Sequence, residues 1–265
     1  AGGLLLAALA QTAPASAQGI LVERMPPERV AAELLAPGVW RPFPRAGEPG
    51  WEAVPEVVRA AQVAEGERRL GQAWEPLPAS LFLDFARTGN RDRFQRASFA
   101  RRSRLVDLVL AEAIEDEGRF LDAVVDGVWA ICEESWWGVP AHVSAQEAGN
   151  TLPDVTEPVV DLFAAETGAL LAWTDYLLAE RLDRFSPLVR PRIALEIERR
   201  ILAPCRERDD FWWMGTRGNR WLTSLRRRRY DSGARWSAAS SSSTAARSSS
   251  STTAPSGGRV SRSAR

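Results

Sequence analysis

A chain of 265 residues with 45% apolar content is long enough for one large domain or two ordinary ones and can bury a sizeable core. Its formal charge of zero, from 34 basic and 34 acidic residues, excludes nothing by itself, because residues 1–216 carry 23 basic and 33 acidic groups, net −10, and residues 217–265 carry 11 and 1, net +10. A single histidine excludes a multi-histidine metal centre and the two cysteines fit no zinc spacing, so neither metal nor cofactor is expected. Every basic residue is arginine, and 11 tryptophans stand beside two tyrosines, Tyr176 and Tyr230.

The chain opens on Leu4-Leu5-Leu6-Ala7-Ala8-Leu9-Ala10, followed by Ala15-Ser16-Ala17. A short apolar run before Ala-x-Ala has the form of a secretory signal, so residues 1–17 are expected to be a signal-peptide remnant cleaved after Ala17, and the protein periplasmic or secreted. The alternative is an alanine-rich first helix. The run is about half the length a membrane-spanning helix requires, and no membrane span is expected. Cys132 and Cys205 would then meet an oxidising compartment. Both sit at positions that read as buried helix, so free thiols are expected, with a disulfide as the alternative.

Residues 18–76 form a proline-rich segment, with Pro26-Pro27, Pro42 and Pro44 around Trp40, and contain one expected helix from about Pro55 to Gly71 whose apolar face is Val57, Val58, Ala61 and Leu70. From residue 77 to 216 the pattern is helical almost throughout. Leu81, Phe82, Leu83 and Phe85 belong to one helix, and Phe94 to Glu115 form the next, with Leu105, Leu108, Val109 and Ile114 in its apolar stripe. Gly118 breaks it, and Phe120 to Ile131 make a third. After a loop through Pro140 and Pro153, a long helix is expected from Glu157-Pro158, and a last one from Pro187 to Pro204. No period-two strand intervenes, so the fold class is all-α, built of antiparallel helical pairs. Such pairs suit an (α/α) toroid; a repeat solenoid competes, but no fixed period is present. Residues 217–265 change character, with Arg226 to Arg229 and 14 serines, and are expected to be a disordered basic tail. An Arg/Ser tail can neutralise polyanions. No RNA-binding domain precedes it and no aromatic platform accompanies it, so no nucleic-acid partner is expected. The same Arg/Ser/Ala mixture is what a GC-rich gene yields in a shifted frame, and that is the favoured origin.

The densest chemistry lies in Ile131-Cys132-Glu133-Glu134-Ser135-Trp136-Trp137, continuing to His142. Paired aromatics with carboxylates and an imidazole suit a sugar, because apolar ring faces stack on Trp136 and Trp137 while Glu133, Glu134 and His142 bond hydroxyls or move a proton. Equally, the tryptophans pin the loop to the core and His142 meets a backbone carbonyl. A second acid–aromatic cluster, Asp209-Asp210-Phe211-Trp212-Trp213-Met214, suggests one cleft built from two helix ends. The third feature is a run of arginines, Arg87, Arg91, Arg93, Arg96, Arg101, Arg102 and Arg104, suited to a carboxylate or sulfate or else to a solvated, ion-paired face.

Phe85-Ala86-Arg87-Thr88-Gly89-Asn90-Arg91-Asp92-Arg93-Phe94, Arg101 to Leu110, Gly118-Arg119-Phe120-Leu121-Asp122 through His142, Leu152-Pro153-Asp154, Asp161-Leu162-Phe163-Ala164-Ala165-Glu166-Thr167 and Glu207-Arg208-Asp209-Asp210-Phe211-Trp212-Trp213-Met214 resemble the heparinase II/III-like proteins over residues 74–214. The resemblance implies a secreted or periplasmic polysaccharide lyase whose partner is an acidic, uronate-containing polysaccharide or oligosaccharide, with an (α/α) toroid followed by a β-sandwich. In such enzymes one group neutralises the uronate carboxylate, a base takes the C5 proton and an acid, commonly Tyr, protonates the leaving oxygen. The family continues past its Trp-Trp-Met segment into an Asn- and Trp-rich stretch where the catalytic Asn and Tyr lie, whereas this chain turns into its Arg/Ser tail; neither Tyr176 nor Asn219 matches them. The expectation is an incomplete toroid without a full catalytic set, in which Glu133, Glu134 and His142 are the catalytic candidates and Trp136, Trp137, Trp212, Trp213, Arg87 and Arg91 bind substrate. The alternatives are a noncatalytic carbohydrate-binding or scaffold protein with a polyanion-binding tail, and a toroid-type glycoside hydrolase using Glu133 or Glu134 with Asp209 or Asp210.

Overall fold

The computed structural model describes residues 25–36, 39–149 and 151–214, so the signal-like stretch at 1–17 and the tail at 217–265 lie outside the described residues. Among the described residues every regular element is helical and none is a strand, as the periodicity predicts. The α-helices are α1 (Pro27–Glu33), α2 (Glu56–Arg69), α3 (Ala79–Phe82), α4 (Asp84–Thr88), α5 (Asp92–Glu115), α6 (Leu121–Cys132), α7 (Leu162–Phe185), α8 (Val189–Ile197) and α9 (Ala203–Glu207). Short 3₁₀ turns at Trp51–Ala53 and Pro140–Ala145 and a π-turn at Glu198–Leu202 complete them. None of the described helices is long and apolar enough to cross a membrane.

Helix α5 is the organising element: α2 lies along it, α6 and α7 pack on it, and α8 closes on α6 and α7. Leu105 and Leu108 of α5, Val124, Val128 and Ile131 of α6, and Leu171, Leu178 and Leu182 of α7 are fully buried together with Phe120. The α2 face differs from the one its apolar residues suggest. Val57 and Val58 are exposed, and the contact runs through Val63, Gly66 and Leu70. Gly66 sets that rotation, since a Cβ there would lie 2.4 Å from Ala111 Cβ; only a glycine lets the two backbones approach so closely. The α5–α6 turn is closed by a buried carboxylate. Glu112 accepts hydrogen bonds from the Gly118 and Phe120 N–H groups at 2.8 and 3.1 Å, and burial raises its pKa despite those bonds.

Three boundaries depart from the sequence expectation, the second and third for a local reason. The Leu81–Phe85 stretch divides into α3 and α4 at Leu83. Helix α7 begins at Leu162 rather than at Glu157-Pro158, because Asp161 takes extended dihedrals and its carboxylate accepts the Ala164 N–H at 2.7 Å; a side-chain acceptor for an orphan N–H outweighs a favourable proline. The last helix is interrupted after Ile197. Pro204 has no N–H to offer the Arg200 carbonyl, and the turn before it widens so that the Ala203 N–H donates to the Glu198 carbonyl. A second, smaller core of Phe82, Phe94, Trp136, Val143, Val159, Val160 and Phe211 ties the 133–145 loop to α3, the start of α5 and the 209–214 segment.

Candidate functional site

The strongly apolar α6 ends at Cys132, and the chain turns through Glu133, Glu134, Ser135 and Trp136. Arginines from two helices fix this turn from opposite sides. On the α5 side, Glu134 is buried with its side chain 3% exposed; Arg102 meets both of its oxygens, at 3.0 and 2.7 Å, and Arg101 donates at 3.1 Å. Arg102 also donates to Thr167 on α7 and Arg101 to the Ala130 carbonyl, so one carboxylate joins three helices. On the α8 side, Arg192 and Arg200 donate to the Cys132 carbonyl at 3.3 and 3.2 Å, satisfying an orphan acceptor at the negative end of α6.

Those two arginines belong to a larger cluster around Glu196, a residue 1% exposed on α8. Arg199 and Arg200 bond it at 2.7 and 2.6 Å and Arg192 pairs with it at 3.1 Å. Burial alone would raise this carboxyl, but the Arg200 and Arg199 bonds outweigh it and hold the pKa below the usual carboxylate range. Arg200 also lies over the Trp137 ring at 4.7 Å and Arg192 over Trp129 at 5.4 Å. Arg199 remains half exposed, with its side chain 52% accessible. The π-turn carries Arg199 and Arg200, and so aims this wall.

The arginine wall lines a cleft of 620 Å³ together with Asp154 to Val159 and with Glu133, Trp136 and Trp137. Asp154 accepts from the Thr156 hydroxyl and N–H, bonds that keep its pKa low, and Glu157 accepts the Glu147 N–H. A second cleft of 370 Å³ shares Glu133, Glu134, Ser135 and Trp136 with the first and continues between Leu77, Phe82, Phe94, Leu152 and Pro153. Glu133 is the carboxylate of the turn that is exposed, and no hydrogen bond or ion pair holds it among the described residues.

The structure brings together some of the nominated residues and separates others. Glu133, Glu134, Trp136 and Trp137 share the cleft, but Trp136 and Trp137 are 7% and 3% exposed, so they are packed side chains rather than open stacking faces. The Trp137 indole donates to the Ile131 carbonyl. His142 lines neither cleft. Its Nδ1 lies 2.6 Å from Asp161, whose other oxygen caps α7, and its ring packs on Phe163 and Trp212. The partner is thus a buried carboxylate instead of a backbone carbonyl. Trp213 donates to the Val160 carbonyl and stacks on Phe211. Arg87 and Arg91 are exposed at the α4–α5 corner, beyond the cleft linings. Of the remaining arginine run, Arg93 pairs with Asp84 and Arg104 is buried over Trp74 at 4.1 Å. Both thiols are free, and burial pushes Cys132 up to about 12, which keeps it protonated and unreactive. Among the described residues no group of three or more His, Cys, Asp or Glu side chains could hold a metal ion.

Arg192, Glu196, Arg199 and Arg200 belong to none of the candidate clusters in the sequence, and Asp161 enters there only within the Asp161–Thr167 segment. The available signal was one acid with arginines four before, three after and four after it, which places all four side chains on one helical face. No protein-family model matches the chain, and no curated protein matches it at a significant level.

Proposed function

We propose that the chain is the acidic-saccharide-binding helical part of a heparinase II/III-like polysaccharide lyase, with its helical pairs belonging to an (α/α) toroid and its place of work outside the cytoplasm. The observation that carries this reading is the arginine wall. Three guanidinia converge on the single carboxylate of Glu196, so this one wall presents net positive charge to a cleft of 620 Å³ whose lining elsewhere carries Glu133, Glu134, Asp154 and Glu157. A uronate carboxylate fits the planar fork of the half-exposed Arg199, and the sugar hydroxyls find acceptors in Glu133, Asp154 and Glu157. In β-elimination, Arg199 and Arg200 would serve as the group that neutralises the uronate carboxylate. No Tyr or His occurs among the described residues lining the two clefts, so the activity we assign to those residues is binding.

Calorimetric titration with an oligouronate tests the proposal. Arg199→Ala is expected to weaken binding about tenfold, the loss of one charge-assisted contact, with little change in folding because the side chain is half exposed. Unchanged affinity in the variant, or no binding by the wild type, would overturn it.

A further inference from the structure

We propose that a pocket of 560 Å³ between α5, α7 and the 43–54 segment binds an organic ammonium with an apolar aryl or alkyl body, independently of the saccharide reading. On α7 the lining residues Glu166, Leu170, Trp173 and Leu177 follow one another at steps of four, three and four, which sets them in one row along the helix. Helix α5 adds Val106 and Leu110, and the 43–54 segment adds Phe43 and Trp51. That segment is fastened to α7: the Tyr176 hydroxyl donates to the Phe43 carbonyl at 2.7 Å and the Ala46 N–H to the Leu177 carbonyl at 2.9 Å. The Trp51 indole donates to the Arg45 carbonyl and the Thr174 hydroxyl to the Leu170 carbonyl, so both of these polar groups are satisfied within the protein. The pocket is thus preformed and lined mainly by apolar and aromatic side chains, the usual character of a small-molecule site.

Glu166 is the one charged residue on this lining. It is exposed, and no hydrogen bond or ion pair holds it among the described residues. Arg102, which shares an adjoining cleft of 300 Å³ with it, is taken up by Glu134 at 2.7 Å. Phe43 and Trp173 meet edge to face with centroids 5.5 Å apart and remain 55% and 40% exposed. A carboxylate without a counter-ion beside accessible aromatic rings complements an ammonium: the carboxylate answers its charge, the rings attract it, and the aliphatic walls take its body out of water. The net charge of −10 on residues 1–216 adds a field that draws cations and repels anions.

Calorimetric titration of the whole chain with phenylbutylammonium and with phenylbutanol, which share one apolar body, tests the proposal. The ammonium should bind the wild type about fivefold more tightly, as expected for one exposed charge pair with an aromatic contribution, and added salt should narrow the gap. Glu166→Gln should erase the preference, leaving the alcohol's affinity and the denaturation midpoint unchanged. Trp173→Leu should weaken both ligands. Asp122→Asn, which removes an exposed carboxylate that lines none of these clefts, should change neither. Equal wild-type affinity for the two compounds, binding of neither, a preference that survives Glu166→Gln, or an equal loss in Asp122→Asn would overturn the ammonium site. Self-association of the chain that the ammonium fails to displace would overturn it in favour of a second copy as the occupant.

Discussion

Glu196→Ala is expected to destabilise the protein by about 3–5 kcal/mol, the usual consequence of removing one partner from a buried ion cluster. The carboxylate is 1% exposed and carries Arg192, Arg199 and Arg200, so its removal leaves like charges packed on the same helix face without a counter-ion. Glu196→Gln should recover part of this, because its amide oxygen still accepts from Arg199 and Arg200, while its NH2 would face the Arg192 guanidinium. The pH dependence follows from the direction of the shift. The Glu196 pKa is lowered in the fold, so its contribution is fully present above the unfolded value and disappears as pH falls through the folded one, a window below about pH 4.3. Glu112 acts in the opposite sense, since its raised pKa favours the protonated form in the fold, and stability from that group declines as pH rises through its folded value. Urea denaturation of wild type and Glu196→Gln across acid pH measures the difference. A loss below about 1 kcal/mol for Glu196→Ala would mean that the cluster behaves as a solvated surface pair.

Glu134→Ala is the second large effect, again about 3–5 kcal/mol, because Arg101 and Arg102 would be left with side chains only 11% and 14% exposed and no carboxylate between them. A loss of this size is a large share of the 5–15 kcal/mol by which domains are ordinarily stable. It should also reach the cleft, since Glu134 and the Cys132 carbonyl are the two points at which α5 and α8 hold the turn. Glu134→Gln keeps the volume and one acceptor, so it should recover part of the stability. Equal denaturation midpoints for wild type and Glu134→Ala would refute the structural role.

That role shows where the sequence was legible and where it was not. Glu133 and Glu134 are adjacent and chemically identical, and both read as candidate acid–base groups beside tryptophans. What separates them is the arginine pair on α5, more than thirty positions upstream in the chain, which no local pattern reveals. The stripe of Leu105, Leu108 and Val109 was legible because a 3.6-residue period directly reports a buried face. Ile114 of the same stripe is only half buried, because it lies in the last turn, where α5 leaves the core. Trp136 and Trp137 suit either a sugar platform or a loop pinned to the core, and the second describes them: large rings at a helix end find more apolar partners inward than outward, and both are packed. The arginines of the last helix carry no site signal in the sequence, because a charged run at helical spacing suits a solvated face equally well. Only the packing of α8 against the end of α6 turns that run into a wall.

The most direct test of the central claim is the affinity of the chain for an oligouronate compared with the same oligosaccharide after reduction of its carboxylates to neutral alcohols. If the arginine wall is a uronate site, the acidic form binds about tenfold or more tightly, and added salt narrows the difference. Equal affinity for the two forms would contradict the account.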